Sequence, residues 1–327
     1  MSVLLVLALF AAFGAAGCGD SESSGGASSS GDTTAAADPK TSTIGLMVFD
    51  LKSAFAATQA DTMRAMVEKV GGKLVVMDPS NDPAKQLRMA QDWLNQGKVD
   101  ALVGSTVDIT TFQPALDLAA EKGVPVVTLG FEPKKLQRGE TVVTQDFKDW
   151  GVQIGTAIAK CVDERLGGKS EAVILDDVHR AGPIIPSLNS GFEEGFATNP
   201  GIELAAKPDA PDRLKSLQAM QDVLTAHPDV NAAVGSDDQV LGAMQALKAK
   251  GKDPKTDLCL VGTGGTPEGT EAMKSGDFYA VGDAQLSVIY DIALNAAWAQ
   301  ITNPDDPKYS AKIITTPYVM RYHQDAQ

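Results

Sequence analysis

Twice along the chain, short apolar runs alternate with amphipathic segments, and this alternation constrains the fold more than any other feature. In the first series TIGLMV at 43, KLVVM at 73, DALVG at 100, PVVTL at 125 and TVVT at 141 are spaced by segments of helical periodicity that start near 54, at Asp82-Pro83 and near 110. A helix from about 148 opens a second series: EAVIL at 171, IELAA at 202, NAAVG at 231, DLCLVG at 257 and FYAVG at 278, with helices from about 184, from Pro211, from about 238 and from Pro267. A helix between two strands returns the chain to the starting end of the sheet, so successive strands lie parallel and helices cover both faces. The expected fold is α/β, with two doubly wound parallel-sheet lobes of similar size joined near Asp146. At 327 residues the chain has the length for two such cores.

The helix starts carry matching chemistry. Asp82-Pro83 and Thr266-Pro267 each place an N-cap acceptor before a proline at the first helical position, and Ser236-Asp237-Asp238-Gln239 has the spacing of a capping box. The last helix, about 285 to 302, and the final IITTPYVMRYH are left over when the lobes are assembled. Both are accommodated if the chain crosses back, which assigns 43–145 with 285–314 to the first lobe and 146–284 with 315–327 to the second. Several linkers between two rigid bodies make a hinge that closes on a ligand.

Residues 1–18, MSVLLVLALFAAFGAAGC, carry no charge and are apolar from Val3 to Phe13. The run is short for a membrane span and suits a secretory signal; its end, Ala15-Ala16-Gly17-Cys18, resembles the bacterial lipobox and marks Cys18 for lipid attachment. Ala15 stands where the lipobox more often has Leu, and no Lys or Arg precedes the apolar run. Residues 19–42 hold almost no large apolar side chain and read as a flexible Ser/Gly/Ala tether. The expected location is outside the cytoplasm, lipid-anchored at the outer face of a bacterial membrane. With 28 basic and 42 acidic residues the net charge is −14, which repels phosphate backbones and argues against nucleic acid as partner. Cys161 falls in a predicted helix and Cys259 in a predicted strand; an exported location permits a bridge, yet two buried thiols are the expected state.

Catalysis leaves a constellation, and the sequence shows none. Of its three histidines, His227 sits at a predicted helix end, His323 is in the tail, and His179, in DDVHRAG after a strand, meets either ligand or solvent. No histidine pair or CxxC spacing marks a metal, and no G-x-S-x-G elbow is present. LVGTGGTPEG lacks the third glycine of a dinucleotide loop and reads as a tight strand-to-helix turn. Neither enzyme activity nor a cofactor is expected. The chemistry lies at the carboxyl ends of the strands, where open parallel sheets bind ligands. FDLKSAF, GSTVD and GFEP in the first lobe bring Phe49, Asp50, Ser53, Phe55, Ser105 and Phe131 to the cleft; DDVHRAG, GSDDQ and TGGT in the second bring His179, Arg180, Asp237 and Thr263. Aromatic faces with a few fixed polar groups suit a small polar ligand with an apolar side. VPVVTLGFEP poses the sharpest local question, because it ends a buried strand on Gly130 and then places Phe131 at the site.

From 43 to 327 the residues resemble the type I periplasmic binding proteins, in particular the ribose-binding-protein-like branch. The resemblance is carried, in this order, by LVVMDPSNDPAKQL (74–87), GVPVVTL (123–129), GFEEGF (191–196), MQDVLTAHPDVNAAVGSDD (220–238), LVGTGGTPEG (260–269) and VGDAQL (281–286). It implies flavodoxin-like lobes, a three-segment hinge, and a ligand in the interlobe cleft for delivery to an ABC importer. By position it implies Phe49, Ser53 and Phe55 as pocket wall, Asp237 where an asparagine commonly binds sugar hydroxyls, and Gln285 where the family has a glutamine at the second crossing. Gly130-Phe131 replaces the Asp-Arg of the sugar binders, Thr263-Gly264-Gly265 replaces Phe-Asp-Gly, and Pro186 stands at the position of an expected arginine. Several charged hydrogen-bonding groups are thus missing, and a site built for hydroxyls loses specificity when such partners go, which argues against ribose itself and leaves Arg180, Lys52 or Asp50 as candidate replacements.

The expected function is that of an extracytoplasmic substrate-binding lipoprotein of an ABC importer, a monomer that binds a small sugar-like or polyol ligand and meets a membrane permease. Its only membrane contact is the lipid anchor. The alternative is a sensory module that presents ligand to a membrane kinase or chemoreceptor, or an importer component for a non-sugar molecule. A repressor on the same core needs an N-terminal helix-turn-helix, and the signal segment and tether occupy that place.

Overall fold

The computed structural model describes residues 41–52, 54–130, 135–178 and 184–326. In β1 (Thr43–Met47) Ile44 and Leu46 turn to one face and Met47 to the other, and the sheet built on this strand is covered on both sides. The chain continues through α1 (Ala54–Lys69), β2 (Lys73–Met77), α2 (Pro83–Asn95), β3 (Ala101–Gly104), α3 (Ile109–Lys122), β4 (Val126–Leu129) and β5 (Glu140–Thr144). α1 closes the Ile44–Leu46 face with Ala60, Met63 and Val67, while α2 and α3 close the other with Trp93, Leu94, Phe112 and Leu116. Each fully buried Leu, Ile or Phe contributes about 2 kcal/mol by leaving water, so both faces must be covered.

The second series runs α4 (Phe147–Arg165), β6 (Ser170–Ile174), α5 (Ile184–Phe196), β7 (Ile202–Ala206), α6 (Arg213–Ala226), β8 (Ala232–Ser236), α7 (Asp237–Ala249), β9 (Cys259–Gly264), α8 (Pro267–Ser275) and β10 (Ala280–Asp283). Its strands alternate in the same way: Ala172 and Ile174 face α4 and α5, Val173 and Leu175 face α6, α7 and α8. The chain then returns through α9 (Leu286–Thr302) and β11 (Lys312–Thr315) and ends with β12 (Val319–Tyr322) and a 3-10 turn. Strand order is β11-β5-β4-β3-β1-β2 in one sheet and β12-β10-β9-β8-β6-β7 in the other, so two α/β lobes share one chain. β11 pairs parallel to β5, but β12 pairs antiparallel to β10, which makes the second sheet mixed rather than wholly parallel. A chain that enters the edge straight from β11, without a helix, arrives running the opposite way.

The caps hold where the sequence puts them. Asp82 accepts from the Lys85 N–H, Thr266 from the Gly269 N–H, and Ser236 with Gln239 forms a reciprocal capping box. The helix expected from Pro211 begins instead at Arg213, because the Asp212 carboxylate accepts from the Lys215 N–H and so becomes the cap. Cys161 and Cys259 form a disulfide, not two thiols. Cys161 on the buried face of α4 lies over the first residue of β9, which brings the Cα atoms to 5.6 Å, within bridging range.

The pair α4 and α5 packs with almost no space between backbones. A Cβ built on Gly191 would stand 2.3 Å from the Lys148 carbonyl oxygen and 2.7 Å from Cα of Gly151, and one built on Gly195 would stand 2.5 Å from the Thr156 nitrogen. Glycine is required here for approach, not for dihedral freedom. The three crossings between the lobes follow β5, β10 and β11, all at the same edge of their sheets. Gln145 in the first crossing donates from its side-chain amide to the Ala284 carbonyl of the second and the Pro317 carbonyl of the third. Thr316 adds a bond from its N–H to the Thr144 carbonyl. One buried glutamine thus ties all three linkers together.

Candidate ligand-binding cleft

Two buried glutamines shape the strand ends that face the cleft. Gln86 of α2 donates to the carbonyls of Val48 and Ser105 and accepts from the Val107 N–H, pinning the chain where β1 and β3 finish. Gln239 of α7 repeats the device in the other lobe, donating to the carbonyls of Asp176 and Ala210 and accepting from the Ser236 N–H. A fully satisfied amide inside each lobe fixes loop backbone that has no ladder of its own. Between the two sets of strand ends lies a cavity of about 670 Å³.

Of the residues expected at the site, Phe49, Asp50, Phe55, Ser105, Asp237 and Thr263 line this cavity. Phe49 and Phe55, half-buried on either side of the β1–α1 turn, give one wall its rings. Ser105 is buried and its hydroxyl donates to the Leu129 carbonyl. Asp50 accepts from the Lys52 N–H, and Lys52 also reaches the cavity. Gln285 does not line it; the residue sits in a left-handed conformation, φ 51°, just ahead of α9, with its N–H bonded to Asp283. Ser53, Phe131, His179, Arg180 and Cys18 lie outside the described residues.

Asp237 has a more constrained position than a surface ligand-binding acid. It is the first residue of α7, is 1 % exposed, and its Oδ2 accepts from the N–H (2.7 Å) and hydroxyl (2.8 Å) of Thr266, the cap of α8. A Cβ on Gly262 would stand 2.3 Å from Oδ1 and one on Gly269 would stand 2.4 Å from Cγ, so glycines on β9 and α8 leave the space this carboxyl fills. Oδ1 is buried with no donor. Burial outweighs the two Thr266 donors and pushes the carboxyl up to about 7, with Asp238 adding to the rise. The side chain therefore joins the starts of α7 and α8, which carry the loops after β8 and β9.

Several lining residues escape a reading by strand ends. Phe147 and Trp150 of α4, Ile184, Leu188 and Asn189 of α5, Arg213 of α6, and Leu286 and Ile289 of α9 all reach the cavity. FKDW directly follows the first crossing, and its aromatics are a signal that flanks the hinge in the sequence. Arg213 pairs within its own lobe with Glu268 and Asp238, and the bond to Glu268 chiefly raises its already high pKa while lowering that of Glu268. Among the described residues no cluster of His, Cys, Asp and Glu has the arrangement of a metal site.

Two α/β lobes, strand ends facing one cavity and three crossings on one edge define a hinged binding protein. The chain belongs to the type I periplasmic binding proteins, in their ribose-binding-protein-like branch: the family model of the periplasmic binding protein domain matches residues 44–305. It is 34% identical over 242 residues to the ribose import binding protein RbsB of Escherichia coli (strain K12), covering 73% of this chain and 77% of the relative. It is 29% identical over 325 residues to the xylitol-binding protein of Mycolicibacterium smegmatis, covering 96% and 87%. Among solved structures, an ABC transporter periplasmic solute binding protein from Actinobacillus succinogenes with bound D-allose shares the fold at a TM-score of 0.76 and 20% identity, covering 87% of this chain and 99% of that one. The relatives are substrate-binding proteins, not enzymes, in line with the missing catalytic constellation.

Proposed function

We propose that this chain is the extracytoplasmic substrate-binding lipoprotein of an ABC importer, anchored through Cys18, and that it captures a small sugar or polyol by hinge closure. The observation that carries this reading is the cavity of about 670 Å³ walled by both lobes, a size suited to a small molecule. The names of the relatives, ribose import and xylitol-binding proteins, support the ligand class. Residues 43–145 with 285–314 move as one body and 146–284 with 315–327 as the other, about the crossings tied by Gln145. A ligand touches both walls only when the lobes are closed, and that difference in contact shifts the population toward the closed state, which a permease then meets. Phe49 and Phe55 cover C–H faces, Asp50 and Ser105 bond hydroxyls, and Asp237 holds the opposite loops in place. The protein acts as a monomer.

The test is a thermal-shift screen of the full chain against pentoses, hexoses, linear polyols and cyclitols. A ligand at a hundred times its Kd adds about 2.7 kcal/mol to the folded state and raises the midpoint by several degrees. A screen in which only aromatic or strongly charged compounds raise it refutes the assignment.

A further inference from the structure

Each crossing leaves one lobe and joins the other within a residue or two. In the first, the Thr144 hydroxyl donates to the Gly130 carbonyl of the first lobe, and Asp146 caps α4 of the second. In the second, Asp283 ends β10 and Leu286 starts α9. In the third, the Thr316 N–H donates to the Thr144 carbonyl, and Tyr318 stacks on Trp150 of α4 with ring centroids 5.5 Å apart. Gln145, Ala284 and Pro317 stand between these anchors. Nε2 of Gln145 lies 3.4 Å from the Ala284 carbonyl oxygen and 3.2 Å from that of Pro317. Carbonyls only accept, so they orient the amide: both its hydrogens turn to the hinge backbone, and its oxygen is left as a pure acceptor.

Gln145 is buried and yet lines the cavity, together with Thr144, Trp150 and Tyr290. The polar atoms of this wall differ in access. The Trp150 indole nitrogen and the Tyr290 hydroxyl are sealed without a partner. Among the described residues nothing donates to Oε1 of Gln145, and this oxygen is not sealed. In this conformation a ligand reaches Oε1 and not the other two. A ligand group that covers an acceptor without donating to it strips away water and returns nothing, whereas a hydroxyl replaces the water bond with its own.

We propose that Gln145 is a specificity-determining residue of the cleft: its Oε1 accepts a hydrogen bond from one particular hydroxyl of the ligand, while its Nε2 holds the hinge backbone. The inference rests on the sugar or polyol reading and deepens it. A donor on Oε1 polarises the amide and strengthens its bonds to Ala284 and Pro317, so the same contact tightens the joint about which the lobes turn.

The experiment is isothermal calorimetry of the full chain and of Gln145→Met with D-ribose, L-arabinose, D-glucose, xylitol and myo-inositol, followed by the monodeoxy analogues of whichever binds. In the unaltered chain the analogue that lacks the critical hydroxyl binds about thirtyfold weaker than its parent. In Gln145→Met the parent is weakened, and that one analogue now binds as well as its parent, while the losses at the other positions persist. The ratio isolates the contact, because a change in the hinge alone weakens parent and analogues by one factor and cancels. Unchanged ratios at every position overturn the proposal and leave the sugar reading standing. If the variant does not fold, NMR of the unaltered chain with isotope-labelled glutamine decides: the side-chain carbonyl resonance of Gln145 moves with the parent and not with the critical analogue, and a resonance that treats them alike overturns the proposal. Failure of every sugar and polyol to bind the unaltered chain brings down the sugar reading and this inference with it.

Discussion

Replacing Asp237 by Asn tests whether a carboxyl locked between two helix starts is held protonated. Asn keeps the shape and retains the acceptor that Thr266 needs at 2.7 and 2.8 Å, while removing only the charge. In the folded chain the group titrates near 7 against an ordinary 3.8, because burial dominates. Below about pH 4 the carboxyl is protonated in both folded and unfolded chains and contributes nothing. Between the two values the folded chain holds a proton that the unfolded chain has released, so stability falls as pH rises through this window, and above about 7 the full penalty is present. A difference of about three pH units at about 1.4 kcal/mol each gives roughly 4 kcal/mol. In a protein of this size one kcal/mol moves the melting midpoint by about 2 °C, so Asp237→Asn should melt about 8 °C above the unaltered chain at pH 8 and level with it at pH 4. Calorimetric scans at half-unit steps measure the trend. Glu140, also buried and pushed up to about 7 by its burial, slopes the same way in both proteins and cancels in the difference. A variant that is less stable at pH 8 refutes the reasoning, because it would mean that the two helix starts hold the carboxylate ionised.

Gly191→Ala separates helix propensity from close packing: propensity alone adds about 1 kcal/mol, whereas a Cβ 2.3 Å from the Lys148 carbonyl forces α4 and α5 apart and costs about 2 kcal/mol or more, read as a lower melting midpoint. The Cys161→Ala, Cys259→Ala double variant opens a loop of sequence separation 98 and should lose roughly 4 kcal/mol, with the reduced unaltered chain falling to the same midpoint; an unchanged midpoint means the bridge contributes nothing.

The layered architecture was legible because burial imposes a period on every element: strands buried on both faces read as apolar runs, and caps such as Asp82 and Ser236 mark helix starts with their own side chains. β12 was not legible as antiparallel, since VMRY carries the same pattern whichever way it runs. The disulfide was missed because bridging depends on which residue of α4 crosses β9, a matter of helix rotation and not of spacing along the chain. At the cleft, strand ends mark Phe49, Phe55 and Ser105, which line the cavity, but much of its apolar wall comes from helices α4, α5 and α9, whose first turns reach the cleft because the crossings gather at one edge. Asp237 shows the opposite limit. Its position at the strand end was readable, yet the direction of its carboxyl depends on glycines 25 and 32 residues away, Gly262 and Gly269.

Gly130 joins these lines of argument. Its φ of +89° is one that a residue with a Cβ rarely adopts, and the same missing Cβ lets Ile184 of the other lobe close onto the end of β4. The glycine that ends the buried strand therefore serves twice, once for the turn out of β4 and once for the close approach of the other lobe.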